Sequence, residues 1–216
     1  MRATGAGGVL AFAAAAVGWL AAAGFPADAA ELHLLEVTRD PDDRSRFKLV
    51  AETRLDADAQ AIFDVLVDYE DGAFGRISSV YKESDYLAPA PDGTPIVYTR
   101  MEGCIWVFCK SLTRVELLET EEPHVIRTTA LPERSDFEFA ESEWVLTPVD
   151  GGTEVVYRLV IDPDFWLPPF VGPAILKKEL RDGGERALYR IERLARGLPS
   201  GLRPARGAAE EVASVE

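Results

Sequence analysis

Apolar and polar residues alternate along most of the chain, and this alternation predicts strands over much of its length. Residues 32–37 are apolar enough for a short leading strand, and residues 47–54 alternate as a half-buried strand does. Six further strands fit residues 77–87, 96–102, 105–118, 125–131, 137–147 and 153–161. Turn-forming sequences separate them, among them Pro91-Asp92-Gly93, Glu102-Gly103 and Asp150-Gly151-Gly152.

Two stretches have the apolar spacing of helices instead. The first follows Asp56 or Asp58, either of which can cap it, and carries the apolar residues Ile62, Phe63, Leu66 and Val67. The second is long, and its apolar stripe consists of Ile175, Leu176, Leu180, Leu188, Ile191 and Leu194. Two glycines, Gly183 and Gly184, interrupt it. Each costs about 1 kcal/mol relative to alanine, so we expect a kink there; close approach of a ligand or strand is the alternative.

The two ends of the chain differ from the part between them. Arg2 precedes an alanine-rich apolar run over residues 9–25, and small residues at Ala27 and Ala29 are typical of a signal-peptidase site. We therefore expect residues 1–30 to be a cleaved signal peptide and the protein to be periplasmic or secreted; a retained membrane anchor is the alternative. Residues 198–216 lack periodicity and are predicted to be a disordered tail. One domain, residues 31–197, lies between them.

The net charge of the protein limits which macromolecules it can bind. The formal net charge is −14, and cleavage leaves it unchanged because Arg2 and Asp28 cancel. Repulsion from phosphates argues against nucleic acid as a partner. Apolar residues make up 47% of the chain, which suffices for the core of one domain.

Residues that carry chemistry are sparse. The chain has two histidines, His33 and His124, and neither has the spacing of a metal ligand relative to cysteines or carboxylates. No Gly-x-Ser-x-Gly sequence is present, and no glycine-rich loop opens a helix. We therefore predict no metal, no cofactor and no catalytic residue.

The two cysteines are predicted to be free thiols. If residues 104–109 continue one strand, Cys104 and Cys109 lie about 17 Å apart. A disulfide needs Cα atoms within about 7 Å of each other. No turn-forming residue lies between the two cysteines, although a chain reversal there would overturn this argument.

The order of strand, helix, six strands and long helix resembles that of the START-like helix-grip proteins, in particular their coenzyme Q-binding and polyketide cyclase/lipid-transport branch. The resemblance covers residues 46–196 and is carried best by residues 61–69, Ala-Ile-Phe-Asp-Val-Leu-Val-Asp-Tyr, and by residues 152–173. It implies an α+β fold in which a curved antiparallel sheet of about seven strands wraps around the long C-terminal helix. A hydrophobic cavity between them would hold a lipid, sterol, quinone or polyketide.

A proline-rich hinge, residues 164–173, is the first candidate contact with such a ligand. It carries three large rings, and exposed rings are costly unless they cover a ligand or touch a membrane. Packing of the helix start against the sheet is the alternative. On the strands, Arg100 beside Tyr98 is suited to bind a carbonyl or carboxylate, unless Arg100 is a solvated surface residue. The predicted ligand-binding residues are Tyr98, Arg100, Phe137, Phe139, Trp144, Tyr157, Phe165, Trp166, Phe170 and Leu176.

The strand over residues 137–147 contains a conflict of faces. Glu141 and Glu143 share the parity of Phe137 and Phe139, so a regular strand would put charges and rings on one side. This conflict predicts a bulge between residues 140 and 142.

Three functions fit these observations. The first is an exported binding or transport protein for a hydrophobic small molecule, with transient membrane contact through the hinge. The second is a polyketide cyclase/aromatase-like enzyme acting in the same cavity. The third is an interaction protein whose cavity is filled by its own side chains. We favour the first, because the sequence places no acid or base in the cavity.

Overall fold

A computed structural model describes residues 32–39, 46–105, 108–163 and 172–201. Eight strands form one antiparallel sheet: β1 Leu32–Arg39, β2 Phe47–Leu55, β3 Tyr81–Leu87, β4 Ile96–Ile105, β5 Phe108–Glu121, β6 Val125–Ala130, β7 Phe137–Val149 and β8 Gly152–Pro163. Their order across the sheet is β1-β2-β8-β7-β6-β5-β4-β3, so β1 and β3 are the edges. The predicted helix-grip fold is confirmed.

Two α-helices cover the inner face of this sheet. Helix α1, Ala59–Val67, begins where the Asp58 carboxylate accepts a hydrogen bond from the Gln60 backbone N–H at 2.9 Å. A short 3₁₀ segment, Glu70–Arg76, follows it. Helix α2, Gly172–Ala195, is a single helix that continues through both of its internal glycines. Ile62 of α1 and Ile191 of α2 are buried in the same core cluster.

The β4–β5 hairpin corrects two predictions. Glu102 and Gly103 lie inside β4 and do not form the predicted turn, because β4 runs on to Ile105, the register partner of Phe108. Cys104 and Cys109 are therefore register partners, and directly opposed residues of antiparallel strands have Cα atoms about 4.5–5.5 Å apart. Cys109 is disulfide-bonded, and no free cysteine is found among the described residues. The prediction of two free thiols is wrong.

Strand β7 has its irregularity earlier than predicted. The register with β8 shifts between Phe137 and Phe139, whereas pairing is regular from Ala140 onwards. Ala140 and Ser142 are both buried, on the same face as Trp144. The change of face therefore occurs before residue 140, and the predicted position of the bulge is wrong.

Several predicted features fall partly or wholly outside the described residues. These are the signal peptide, the hinge rings Phe165, Trp166 and Phe170, and residues 202–216. Residues 198–201 are described and contact the end of α2: the Leu198 N–H donates to the Arg193 carbonyl at 2.8 Å, and Arg193 Nε donates to the Pro199 carbonyl at 2.8 Å. In the described part of the chain, no helix has both the length and the apolar character needed to span a membrane.

Candidate ligand-binding cavity

A cavity of about 320 Å³ lies between the inner face of the sheet and α2. Every second residue along part of two adjacent strands, β2 and β8, lines it, as the pleat of a strand requires. From β2 these are Leu49, Ala51 and Thr53, and from β8 they are Val155, Tyr157, Leu159 and Ile161. The alternating apolar residues that predicted these strands are thus the cavity wall.

Small residues of α2 leave room for this space. Gly183, Gly184 and Ala187 line the cavity on the helix side, together with Leu188 and Ile191. A Cβ atom added at Gly183 would meet no heavy atom within 4 Å. Gly183 therefore faces open space beside the helix, and the predicted close approach of a strand is not found there.

The cavity reaches the surface beside the start of β3. Ile77, Ser78, Val80 and Tyr81 contribute to its wall, and Val80 is also 42% exposed. Met101 of β4 lies on the same side of the cavity wall. Val80 therefore places this part of the wall at the protein surface.

Three predicted ligand-binding residues meet in this cavity. Trp144 and Tyr157 are cross-strand neighbours whose ring centroids lie 4.2 Å apart, and Phe137 is buried on the same wall. Their contact with a ligand stays a prediction, but the structure brings all three to one place.

Other predicted residues lie elsewhere. Tyr98 and Arg100 lie on the outer face, where Tyr98 Oη donates to Glu83 at 3.1 Å and Arg100 Nη2 donates to the same carboxylate at 2.7 Å. Their predicted place in the cavity is wrong, because the inward parity of β4 belongs to Thr99 and Met101. Arg100 is therefore a surface residue, which was the alternative to a ligand-binding role.

Two further predicted residues are not cavity contacts in the described structure. Phe139 does not line the cavity; the guanidinium carbon of Arg46 lies 4.3 Å from its ring centroid. Leu176 lies in α2, but its side chain, like the hinge, is outside what the structure describes.

A buried ion pair on β5 was not predicted from the sequence. Arg114 is 8% exposed and Glu116 is 1% exposed, and Arg114 lines the cavity. Arg114 Nε lies 2.9 Å from Glu116 Oε2. Both residues lie on the inward face of β5, between the half-buried Leu112 and the buried Leu118. That shared parity with two leucines is the signal that identifies them.

Hydrogen bonds extend this pair across three strands. Thr128 Oγ1 of β6 donates to Glu116 Oε1 at 2.8 Å, and the hydroxyl oxygens of Thr128 and Ser142 lie 2.8 Å apart. Since the single Thr128 proton goes to the carboxylate, Ser142 is the donor in the second bond. A polar network therefore crosses the apolar wall of the cavity.

This network is incompletely satisfied. Among the described residues, neither Arg114 Nε nor Glu116 Oε2 has a hydrogen-bond partner, because their close contact does not have hydrogen-bond geometry. Burial lowers the pKa of Arg114, but Glu116 and the nearby hydroxyls of Tyr81, Tyr157 and Tyr69 together outweigh it and raise the pKa above its ordinary value. Arg114 is thus a permanent cation in the cavity wall.

Two tyrosines near the pair also keep their protons. Burial raises the pKa of Tyr157, and the positive charge of Arg114 opposes that rise only in part. Burial, with Glu116 as the next cause, raises the pKa of Tyr69. At neutral pH both hydroxyls are neutral and can donate hydrogen bonds.

Comparisons with known proteins agree with this architecture. The family model described as polyketide cyclase/dehydrase and lipid transport matches residues 46–196. A STAR-related lipid transfer protein from Xanthomonas axonopodis is 19% identical with a TM-score of 0.54, and the match covers 74% of this chain and 98% of that one. Among the curated proteins, none matches this chain.

Two other solved structures are similar to the chain. The Zhui aromatase/cyclase from a Streptomyces species is 15% identical with a TM-score of 0.53, over 70% of this chain and 94% of that one. A START superfamily protein from Mycobacterium smegmatis is 19% identical with a TM-score of 0.54, over 68% and 98%. At such identities the likeness shows a shared fold.

Proposed function

Since the chain belongs to the polyketide cyclase/dehydrase and lipid-transport family, we propose that it binds and carries a hydrophobic small molecule between its sheet and α2. The cavity of about 320 Å³ is the observation that carries this proposal. A ligand that buries about 250 Å² of apolar surface there would gain about 6 kcal/mol at 25 cal/mol per Å². The loss of free motion on binding offsets part of that gain.

An interaction protein with a filled cavity fits the structure less well. That function needs side chains to occupy the space between sheet and helix. On the helix side, the described wall instead consists partly of small residues, namely Gly183, Gly184 and Ala187.

Substitutions at Gly183 test the proposal with little risk to folding. Alanine at this position adds one methyl group in open space, whereas phenylalanine fills the cavity. Both replace a helical glycine, so neither should weaken α2. We expect Gly183→Ala to bind the fluorescent apolar probe N-phenyl-1-naphthylamine as the wild type does, and Gly183→Phe to bind it at least tenfold more weakly.

The thermal midpoint of each variant is the control. If Gly183→Phe binds weakly at an unchanged or raised melting temperature, the cavity is the binding site. Equal probe affinity in all three proteins would show that the probe binds elsewhere and would remove the basis of the proposal.

A cyclase-like enzyme is the second candidate, and one observation favours it. The Arg114 guanidinium and the protonated Tyr157 both lie at the cavity, where they could polarise a ketone oxygen. This function predicts that the protein converts a linear poly-β-ketone into a cyclic product and that Tyr157→Phe slows the conversion. A wild-type protein that returns the polyketone unchanged would rule it out.

Export is part of the proposed function. The disulfide at Cys109 supports it, because disulfides persist in oxidising compartments outside the cytoplasm. The expected mature protein begins at Ala30 or Glu31. N-terminal sequencing of the exported form checks this, and a full-length form that resists carbonate extraction from membranes would contradict it.

Transient membrane contact through the hinge completes the proposal. Strand β8, which precedes the hinge in the chain, ends at Pro163, and Pro163 pairs with the cavity residue Phe137. Replacing Trp166 and Phe170 with alanine should slow transfer of an apolar probe to vesicles. An unchanged transfer rate with a lowered melting temperature would instead assign the rings to packing.

A further inference from the structure

The formal charge of the protein is distributed unevenly along the chain. Residues 172–206 contain nine lysines and arginines but only four aspartates and glutamates, whereas the rest of the chain contains 14 basic and 33 acidic residues. Six arginines lie between residues 186 and 206, and Glu192 is the single acidic residue among them. The second half of α2 is therefore a basic region of an acidic protein.

Arginines of α2 form one stripe on the helix surface. Arg186, Arg190 and Arg193 are spaced at i, i+4 and i+7, which places them on one side of the helix. None of the three lines the cavity. Arg186 is exposed and the other two are half-buried, whereas Glu192 is buried and adds little exposed negative charge. We call these three residues the arginine stripe.

The positive charge of the arginine stripe is not neutralised within the protein. Among the described residues, Arg186 and Arg190 make neither an ion pair nor a hydrogen bond. The charge of Arg186 acts on the Asp182 carboxylate, but that carboxylate is already paired with a lysine at 2.7 Å. Arg193 Nε donates to the Pro199 carbonyl at 2.8 Å, which is an uncharged partner.

An anionic lipid surface fits this stripe. Arginine binds phosphate oxygens through several N–H groups in a fixed fork, and the phosphates of a bilayer form a plane on which one side of a helix can lie. Charges are screened beyond about 8 Å at physiological salt, so acidic residues on the other faces oppose this contact only weakly. The uneven charge also orients the approach of the protein.

Docking through α2 would bring the cavity close to the lipid. Gly183, Gly184 and Ala187 of the same helix line the cavity. A helix with its side chains is about 10–12 Å across, so about one helix diameter would separate a bound ligand from the lipid phosphates. This position favours a membrane over a nucleic acid or an acidic protein, because of the three only a membrane dissolves apolar molecules.

We infer that the arginine stripe docks the protein onto membranes that contain anionic lipids, with α2 facing the bilayer. The inference rests on the proposed function, since it names the surface with which the protein exchanges its ligand. Docking itself needs no ligand in the cavity, so the two can be tested separately.

Flotation with vesicles tests docking on the wild-type protein without an added ligand. We expect binding to phosphatidylcholine vesicles that contain about 40% phosphatidylglycerol, and binding at least about fivefold weaker to pure phosphatidylcholine. Raising the salt concentration from about 0.1 M to about 1 M should abolish the difference, because the screening length falls from about 10 Å to about 3 Å.

The substitution Arg186→Gln/Arg190→Gln removes two charges of the stripe at nearly unchanged helix propensity. It should weaken binding to the anionic vesicles at least about fivefold, whereas Arg186→Lys/Arg190→Lys, which keeps the charge, should bind as the wild type does. The matched control is Arg127→Gln/Arg158→Gln. It changes the net charge equally on the outer face of the sheet, where both arginines pair with Glu143, and should also bind normally.

The thermal midpoint checks that each variant is folded, and the affinity for N-phenyl-1-naphthylamine without vesicles tests the cavity. A wild type that shows no preference for anionic vesicles would overturn the inference, leave the stripe to an acidic macromolecule, and let the proposed function stand. Equal losses in the stripe variant and the outer-face control would also overturn it, since net charge would then be the cause. Normal docking by a protein that binds no probe would support the stripe and refute the proposed function alone.

Discussion

Arg114 and Glu116 are charged residues whose burial costs free energy of folding. Each is buried, and each has a polar atom without a hydrogen-bond partner among the described residues. Loss of one partner would leave the other as a lone buried charge, which costs about 3–5 kcal/mol. Replacement of both by apolar residues is often neutral or stabilising. Stability measurements can therefore separate a structural pair from a functional one.

We predict that Glu116→Leu lowers the free energy of unfolding by about 3 kcal/mol. The double variant Arg114→Met/Glu116→Leu should recover to within about 1 kcal/mol of the wild type or exceed it, because no charge remains buried. Urea denaturation measures both. A double variant as unstable as the single one would mean that the pair stabilises the fold.

Tyr157 gives the protein a pH dependence in the alkaline range. Its pKa is raised above the ordinary value of 10.0 by burial, so the folded protein holds this proton to higher pH than the unfolded chain does. The resulting stabilisation is complete below pH 10 and is lost as the pH rises above 10 towards the folded pKa.

The substitution Tyr157→Phe removes this titration. The loss of stability above pH 10 should become shallower, by up to about 1.4 kcal/mol per pH unit. At neutral pH, where the hydroxyl is protonated in the folded and the unfolded protein alike, the variant should lie within about 1 kcal/mol of the wild type. Chemical denaturation between pH 7 and 11 gives both values. Parallel curves for the two proteins would exclude Tyr157 as a source of the alkaline loss.

Individual cavity residues were only partly predictable. Trp144 and Tyr157 were found because large rings on predicted strands are natural cavity walls. Tyr98 and Arg100 were misplaced, since alternation gives two faces but does not say which is inward. Arg114 was missed because a charged residue on a strand is ordinarily at the surface. The leucines at the same parity were the better indicator.

At the scale of elements, a single carboxylate joins the last helix to the start of the fold. Glu192 of α2 is buried and accepts a hydrogen bond at 3.1 Å from the backbone N–H of Asp56, between β2 and α1. Arg196 lies 3.6 Å from the other Glu192 oxygen, at an exposed position. Helix α2 is thus held in place by a hydrogen bond to the chain between β2 and α1 as well as by apolar packing.

The variant Glu192→Ala should lower the free energy of unfolding by about 1.5–3 kcal/mol, since it removes a charged acceptor from a partly buried backbone donor. Arg196→Ala is the matched control, with an expected loss below about 1 kcal/mol. Thermal and urea unfolding of the two variants measure the difference. Equal losses would show that the Asp56 bond contributes nothing beyond a surface ion pair.

Prediction of elements succeeded where the pattern was strong and failed at one hairpin. The pattern of apolar residues identified all eight strands, and Asp58, one of the two predicted caps, is the cap of α1. The β4–β5 turn was misplaced because Gly103 has the composition of a turn and the actual reversal, between Ile105 and Phe108, lacks turn-forming residues. Tertiary pairing outweighed local turn preference there, and the error about the cysteines followed from it.

The cavity is a property of the whole molecule. Its wall comes from both ends of the described chain, from Leu49 on β2 to Ile191 on α2. The order of the strands and the long helix resembles that of helix-grip proteins, and this resemblance predicted a cavity between sheet and helix. Its size could not be predicted, because it depends on where α2 lies above the sheet and on the space left beside Gly183.

The central claim is that this cavity binds a hydrophobic molecule, and native mass spectrometry tests it most directly. The measurement compares the wild-type protein with Gly183→Phe, both purified from the natural host and then offered 2-undecanone. We predict that the wild type carries an added mass that disappears on denaturation and is recovered in organic solvent, and that Gly183→Phe carries none. A bare mass for the wild type before and after exposure to the ketone, or the same adduct on both proteins, would contradict the account.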